Sequence, residues 1–118
     1  MHLAIDPATW RPAPGVAEQP RVVLAHWRLF IGHGRGRYLG GVLPGQATLR
    51  ATSAIVAANP LTRTWRTVSG RMYETPGPPA RDPALCARLA SMVTTDKMNN
   101  PPLDVTDAAW LEMRQALQ

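Results

Sequence analysis

Cysteine, lysine and phenylalanine each occur once in this chain of 118 residues. The single cysteine, Cys86, excludes an intrachain disulfide and a cysteine-built zinc cluster. The single lysine, Lys97, leaves none for a GxxxxGK[ST] phosphate loop. The start, MHLAIDPATWRPAPG, has only a short apolar piece, broken by Asp6 and Pro7 and lacking a basic leader, so it reads as neither a secretory signal nor a membrane span. These absences point to a reducing, cytoplasmic setting without membrane contact. One further gap is regional. Between Gln19 and Tyr73 there is no acidic residue, yet Arg21, Arg28, Arg35, Arg37, Arg50, Arg63, Arg66 and Arg71 all fall there. The basicity is therefore nearly pure guanidinium, a rigid donor fork suited to carboxylate or phosphate. Codon usage in a GC-rich genome would also raise arginine, alanine, glycine and proline without any binding role.

Hydrophobic residues make up 45% of the chain and charged residues 18%, which supports a packed core. The length suits one domain. Proline is over-represented, with 12 residues against a usual frequency of about 5%. Residues 1–20 read as a proline-rich N-terminal arm that packs through Leu3, Ile5 and Trp10, and residues 21–118 as a single domain.

Alternating patterns predict strands over 21–31, 37–43, 47–58 and 64–73. In 21–31 both faces carry apolar residues, which predicts a central strand covered on both sides. After TPGPPAR the period changes to that of a helix. Asp82 is placed as N-cap with Pro83 at the first helical position, and Leu85, Leu89, Met92 and Val93 share one face of a helix over about 83–97. Asn99 to Pro102 would end it. A second helix over about 105–117 has Asp104 or Thr106 as cap and Ala109, Trp110, Met113 and Leu117 as its stripe. The fold class expected is α+β: an antiparallel sheet of about four strands followed by two C-terminal helices that cover one face, leaving many arginines on the other.

The stretch FIGHGRGRYLGG, residues 30–41, poses the main functional question. A dinucleotide fingerprint needs GxGxxG leading into a helix, whereas this one lacks the third glycine and leads into a strand. Arg35 and Arg37 beside Tyr38 have the chemistry to pair phosphates and stack a base, but the motif is a single copy and no tight helix-turn-helix follows. A glycine-rich hairpin loop, with arginines solvating its tip, accounts for the composition directly.

No catalytic constellation emerges, and the protein reads as a non-enzyme with no cofactor and no metal. His2, His26 and His33 show no ligand spacing, and mid-strand His26 is expected to be packed or half-buried. Cys86, among alanines and leucine, reads as a small apolar residue rather than a nucleophile. Ser53 and Ser69 lack a GxSxG context. Trp27 and Trp110 are placed in the core, and Trp65, flanked by Arg63 and Arg66, at the surface. The binding residues selected are Arg35, Arg37, Arg63, Trp65 and Arg66.

From 26 to 73 the order HWRLF, GGVLPG, ATSAIVAANP and WRTVSGRMY resembles a pattern of short uncharacterised proteins of bacterial genomes and mobile elements. Trp27-Arg28-Leu29, Gly41, Thr52-Ser53 and Arg66-Thr67 through Tyr73 are the matching positions. The resemblance covers under half of the chain and transfers no activity and no catalytic residue. It implies stoichiometric binding, by analogy with anti-CRISPR and other anti-defence inhibitors of phages and mobile elements. The expectation is a small inhibitor or adaptor that docks on an acidic protein surface or a nucleoprotein complex. The alternative is a nucleic-acid binder using the same arginine-rich sheet or loop, and a homodimer through an open sheet edge stays open.

Overall fold

The structure, a computed structural model, describes residues 15–32, 35–97 and 102–116. Leu3, Ile5, Trp10, His2, His33, Asn99 to Pro101 and Leu117, all given roles above, lie outside the described residues. The elements run β1 (Arg21–Val23), β2 (Ala25–Ile31), β3 (Arg37–Leu43), β4 (Thr48–Ala51), β5 (Ile55–Asn59), β6 (Thr64–Thr67), β7 (Met72–Glu74), α1 (Pro83–Lys97), β8 (Leu103–Asp104) and α2 (Thr106–Ala116). The α+β class and the two C-terminal helices are as expected. The single sheet is not: there are two four-stranded sheets, ordered β1-β7-β6-β5 and β4-β3-β2-β8.

The reason is that two of the four strand-like segments change sheets part-way. Leu24 bridges β1 to β2, its N–H donating to Glu74 O, and residues 52–54 bridge β4 to β5. Corners of this kind let one segment serve two sheets and curl them around a shared interior. The third departure is in 64–73, which turns at Gly70 (φ 92°) to form the β6–β7 hairpin rather than one strand. Pairing is antiparallel except for β1 with β7, which run parallel with Val22 opposite Tyr73.

A bulge in β2 decides what its side chains face. The register with β3 shifts between Ala25 and Arg28, and His26 sits there at φ 49°. Before the bulge Val22 and Leu24 point inward; after it Trp27 and Leu29 do. A left-handed residue costs about 1–2 kcal/mol. Turning an indole inward removes roughly 150–250 Å² from water, about 4–6 kcal/mol at 25 cal/mol per Å² as an upper bound, so the bulge is favoured. It also throws His26 outward, and the expectation of a packed or half-buried histidine is corrected: His26 is exposed.

The β4-β3-β2-β8 sheet is the middle layer. On one side Trp27, Leu29 and Leu39 meet Val22, Trp65 and Tyr73 of the other sheet, joined by Met113 of α2. On the other, Phe30 and Leu49 meet Leu89, Met92 and Val93 of α1. β2 is thus covered on both faces, as its two apolar faces predict. Helix α1 starts as read from the sequence: the Leu85 N–H donates to Asp82 Oδ2 at 2.9 Å. Cys86 packs at the fringe of this second core.

Adjacent glycines in β3 allow both layers to close. A Cβ on Gly40 would lie 3.3 Å from Leu89 Cβ, and one on Gly41 would lie 3.1 Å from Leu24 Cβ and 3.2 Å from Ala25 O. The backbone oxygen has less freedom to retreat than a leucine side chain. Gly41→Ala is therefore expected to destabilise the fold by about 1–3 kcal/mol, and by more than Gly40→Ala, when both are compared by urea denaturation.

Candidate functional site

The eight arginines of the acid-free stretch divide by what they contact. Arg28 donates from Nε to Asp104 Oδ2 (3.0 Å) and from Nη1 to Ala80 O (2.8 Å), tying β2 to β8 and to the segment before α1. Arg50 and Arg71 are buried and both hold Gln19, Arg50 through the side-chain Oε1 (2.9 Å) and Arg71 through the backbone oxygen (3.0 Å). They fasten the last residues of the N-terminal segment to the sheets. Arg63, in a left-handed conformation (φ 55°), curls back to donate to Pro76 O at 2.7 Å and lies 5.0 Å from the centre of the Trp110 ring. These four have intramolecular roles. The guanidinium groups of the remaining four, Arg21, Arg35, Arg37 and Arg66, have no hydrogen-bond or ion-pair partner among the described residues.

The selected binding residues are therefore not one patch. Arg35 is exposed in the β2–β3 turn, at φ 70°, where its N–H closes the turn on Gly32 O. The stretch that raised the phosphate question is a hairpin, with Phe30 opposite Tyr38 and Ile31 opposite Arg37. Arg63 is occupied by Pro76 and Trp110. Trp65 is a correction: it is 4% exposed, with Nε1 donating to Thr75 Oγ1 at 2.9 Å and its ring 6.1 Å from that of Trp27. Flanking arginines are no sign of exposure in a strand, because successive side chains point to opposite faces. Arg66 points out, so Trp65 points in.

Arg66 lies on the outer face of the β1-β7-β6-β5 sheet, which neither helix covers. Its cross-strand neighbour is Met72, whose other neighbour is Arg21. With strands about 4.8 Å apart, the two unpaired guanidinium-bearing residues flank Met72 at a backbone separation of about 10 Å. Val23 (40% exposed) and Glu74 fall in the next outward row. The arginine-rich open face expected from the sequence is thus reduced to two arginines.

Arg37 belongs to a separate feature, a cavity of about 210 Å³ where the β2–β3 and β5–β6 hairpins approach α2. Leu29, Trp65 and Met113 give it apolar walls, and Arg37, Asn59, Thr64 and Glu112 line it with polar groups. Asn59 Oδ1 accepts from the Leu61 and Thr62 N–H groups, which fixes its side chain and leaves its amide N–H₂ as the available donor. Sequence reasoning selected Arg37 and Trp65, which the cavity brings together. It missed Asn59 and Glu112. The helical spacing Ala109, Glu112, Met113 was the available signal for the latter, since i, i+3 and i+4 share a face.

No group of three histidine, cysteine or acidic side chains converges among the described residues, and none of the described helices is long and apolar enough to cross a membrane. Comparison with protein-family models, curated proteins and solved structures finds no match for this chain.

Asp104 links the pieces that frame these features. Burial raises its carboxyl pKa, but hydrogen bonds from Arg28 and from the Thr106 hydroxyl and N–H, with the Arg28 charge, outweigh this and hold it below the usual range. The Thr106 hydroxyl also accepts from the Leu29 N–H at 2.8 Å, joining α2 to β2. A carboxyl whose folded pKa is lowered stabilises the fold fully above its unfolded pKa of about 3.9. That contribution is lost as pH falls through the lowered value. Asp104→Asn is accordingly expected to lower Tm at pH 7, with the gap from the parent closing toward pH 2 in thermal melts.

Proposed function

We propose that this is a small non-enzymatic binding protein whose outer β1-β7-β6-β5 face docks on an acidic surface of a partner protein, as a stoichiometric inhibitor or adaptor of the anti-defence kind that the sequence resemblance implies. The observation carrying the reading is the Arg21–Met72–Arg66 row: two guanidinium groups without a partner among the described residues, either side of a half-buried methionine, on a face that neither described helix covers. Arginine beside apolar surface is the composition of protein–protein interfaces, and a planar guanidinium matches a carboxylate in bidentate fashion. Arg35, exposed on its hairpin turn, adds positive charge for steering.

A protein partner is favoured over a nucleic acid by the placement of the aromatics among the described residues. Binding of single strands relies on exposed rings on which bases stack. Trp27, Trp65 and Tyr73 are buried, Tyr38 packs against the second core, and the Trp110 ring has Arg63 over it.

The test is a pull-down from host lysate with and without nuclease, followed by titration of the recovered partner with a double charge reversal, Arg21→Glu with Arg66→Glu. A partner retained after nuclease and bound at least about tenfold more weakly by the variant, with Tm unchanged, is the expected result. Unchanged affinity removes this face from the interface. Capture of nucleic acid alone, lost steeply as salt rises, replaces the reading with phosphate binding.

A further inference from the structure

We infer that the cavity between the β5–β6 hairpin and α2 is a binding site for a small zwitterion, an α-amino acid with an aliphatic side chain. Arg37 and Glu112 both line this space, yet they do not pair with each other, and neither has another ion-pair partner among the described residues. Opposite charges that share a cavity without meeting call for a ligand that carries both complements a short distance apart. Arg37 is half-buried and lines the space with no carboxylate partner among the described residues. A ligand carboxylate would supply that partner, with the Asn59 amide as a second donor. Glu112, exposed on α2, would receive the ligand ammonium at the mouth.

The walls select what lies between the charges. Leu29, Trp65 and Met113 are all buried apolar residues of the inter-sheet core. Ala58, Pro60 and Ala109 add the more accessible apolar surface, which suits a small aliphatic side chain, and the Thr64 hydroxyl beside them is already bonded to Thr62 Oγ1 at 2.8 Å. At about 210 Å³ the space is below the roughly 300–1,000 Å³ of pockets for drug-sized ligands, which suits one amino acid and not a nucleotide. The site is distinct from the outer sheet face: Trp65 and Arg66 are neighbours in β6 but point to opposite sides.

The test uses the full chain and L-leucine as probe, followed by the amide and indole N–H signals of the cavity residues in an NMR titration. N-acetyl-leucine, which lacks the ammonium and mimics a peptide C-terminus, and leucinamide, which lacks the carboxylate and mimics an N-terminus, are run beside it. Saturable leucine binding, with each analogue at least about tenfold weaker, is expected, because a hydrogen-bonded charge left without its partner costs about that factor. Arg37→Gln and Glu112→Gln should each weaken leucine by a similar factor while Tm stays within about 2 °C. The Arg21→Glu, Arg66→Glu variant should bind leucine as the parent does. No saturation up to about 10 mM, a ceiling weaker than millimolar affinity, overturns the inference. So does either analogue binding as well as leucine, or both glutamine variants retaining full affinity.

Discussion

Trp27 is fully enclosed, and three other parts of the chain meet on it. Its ring lies 6.1 Å from Trp65 of the opposite sheet and 6.2 Å from Trp110 of α2, in tilted and edge-on arrangements that suit aromatic quadrupoles. Its indole N–H donates to Gly77 O and its backbone oxygen accepts from the Ala80 N–H, so the proline-rich link between β7 and α1 is held to the same residue. The second sheet, the last helix and the entry to the first helix therefore all take their positions from one side chain, which the β2 bulge turns inward.

The arginines show how an acid-free stretch uses its charge. With no carboxylate available between Gln19 and Tyr73, Arg50, Arg63 and Arg71 bond to neutral oxygens of Gln19 and Pro76, and Arg28 reaches beyond the stretch to Asp104. Guanidinium is suited to this because it is weakly hydrated and presents several donors in a fixed fork. Among the described residues, the arginines of this stretch without a side-chain partner are consequently concentrated in a few places: the outer sheet row, the hairpin turn and the cavity wall.

Much of this was legible in the residues. The two-faced apolar pattern of 21–31 marked a central strand, the change of period at Asp82 located α1, and the alternation of Trp65, Thr67, Ser69, Arg71 and Tyr73 against Arg66, Val68, Gly70 and Met72 matches their burial except at Ser69, which the turn at Gly70 leaves exposed. That same alternation argued for a buried Trp65, and weighting its arginine neighbours above it produced the error. The division into two sheets was not legible, because a corner at Leu24 or at 52–54 leaves the alternation of β-branched and apolar residues nearly intact. Nor was the cavity: it joins Arg37, Asn59 and Glu112 from three distant elements, and only the packing of Met113 into the sheets brings them together. The roles of the individual arginines depended on oxygens such as Gln19 and Pro76, which carry no signature in a linear pattern.

The parallel pairing of β1 with β7 has a consequence for the order in which the chain assembles. Every other adjacent pair in the β1-β7-β6-β5 sheet is a hairpin, closed across a short loop, but β1 must wait for a strand about fifty residues later, and long-range pairings of this kind slow folding because loop entropy is lost before contacts form. During synthesis β1 leaves the ribosome early, with its N–H and C=O groups unpaired until Met72 to Glu74 emerge. A strand left open in this way is a template for pairing with another chain. Arg21, its first residue, places a positive charge on that waiting edge, and the same residue that faces outward in the finished sheet would then keep nascent copies apart.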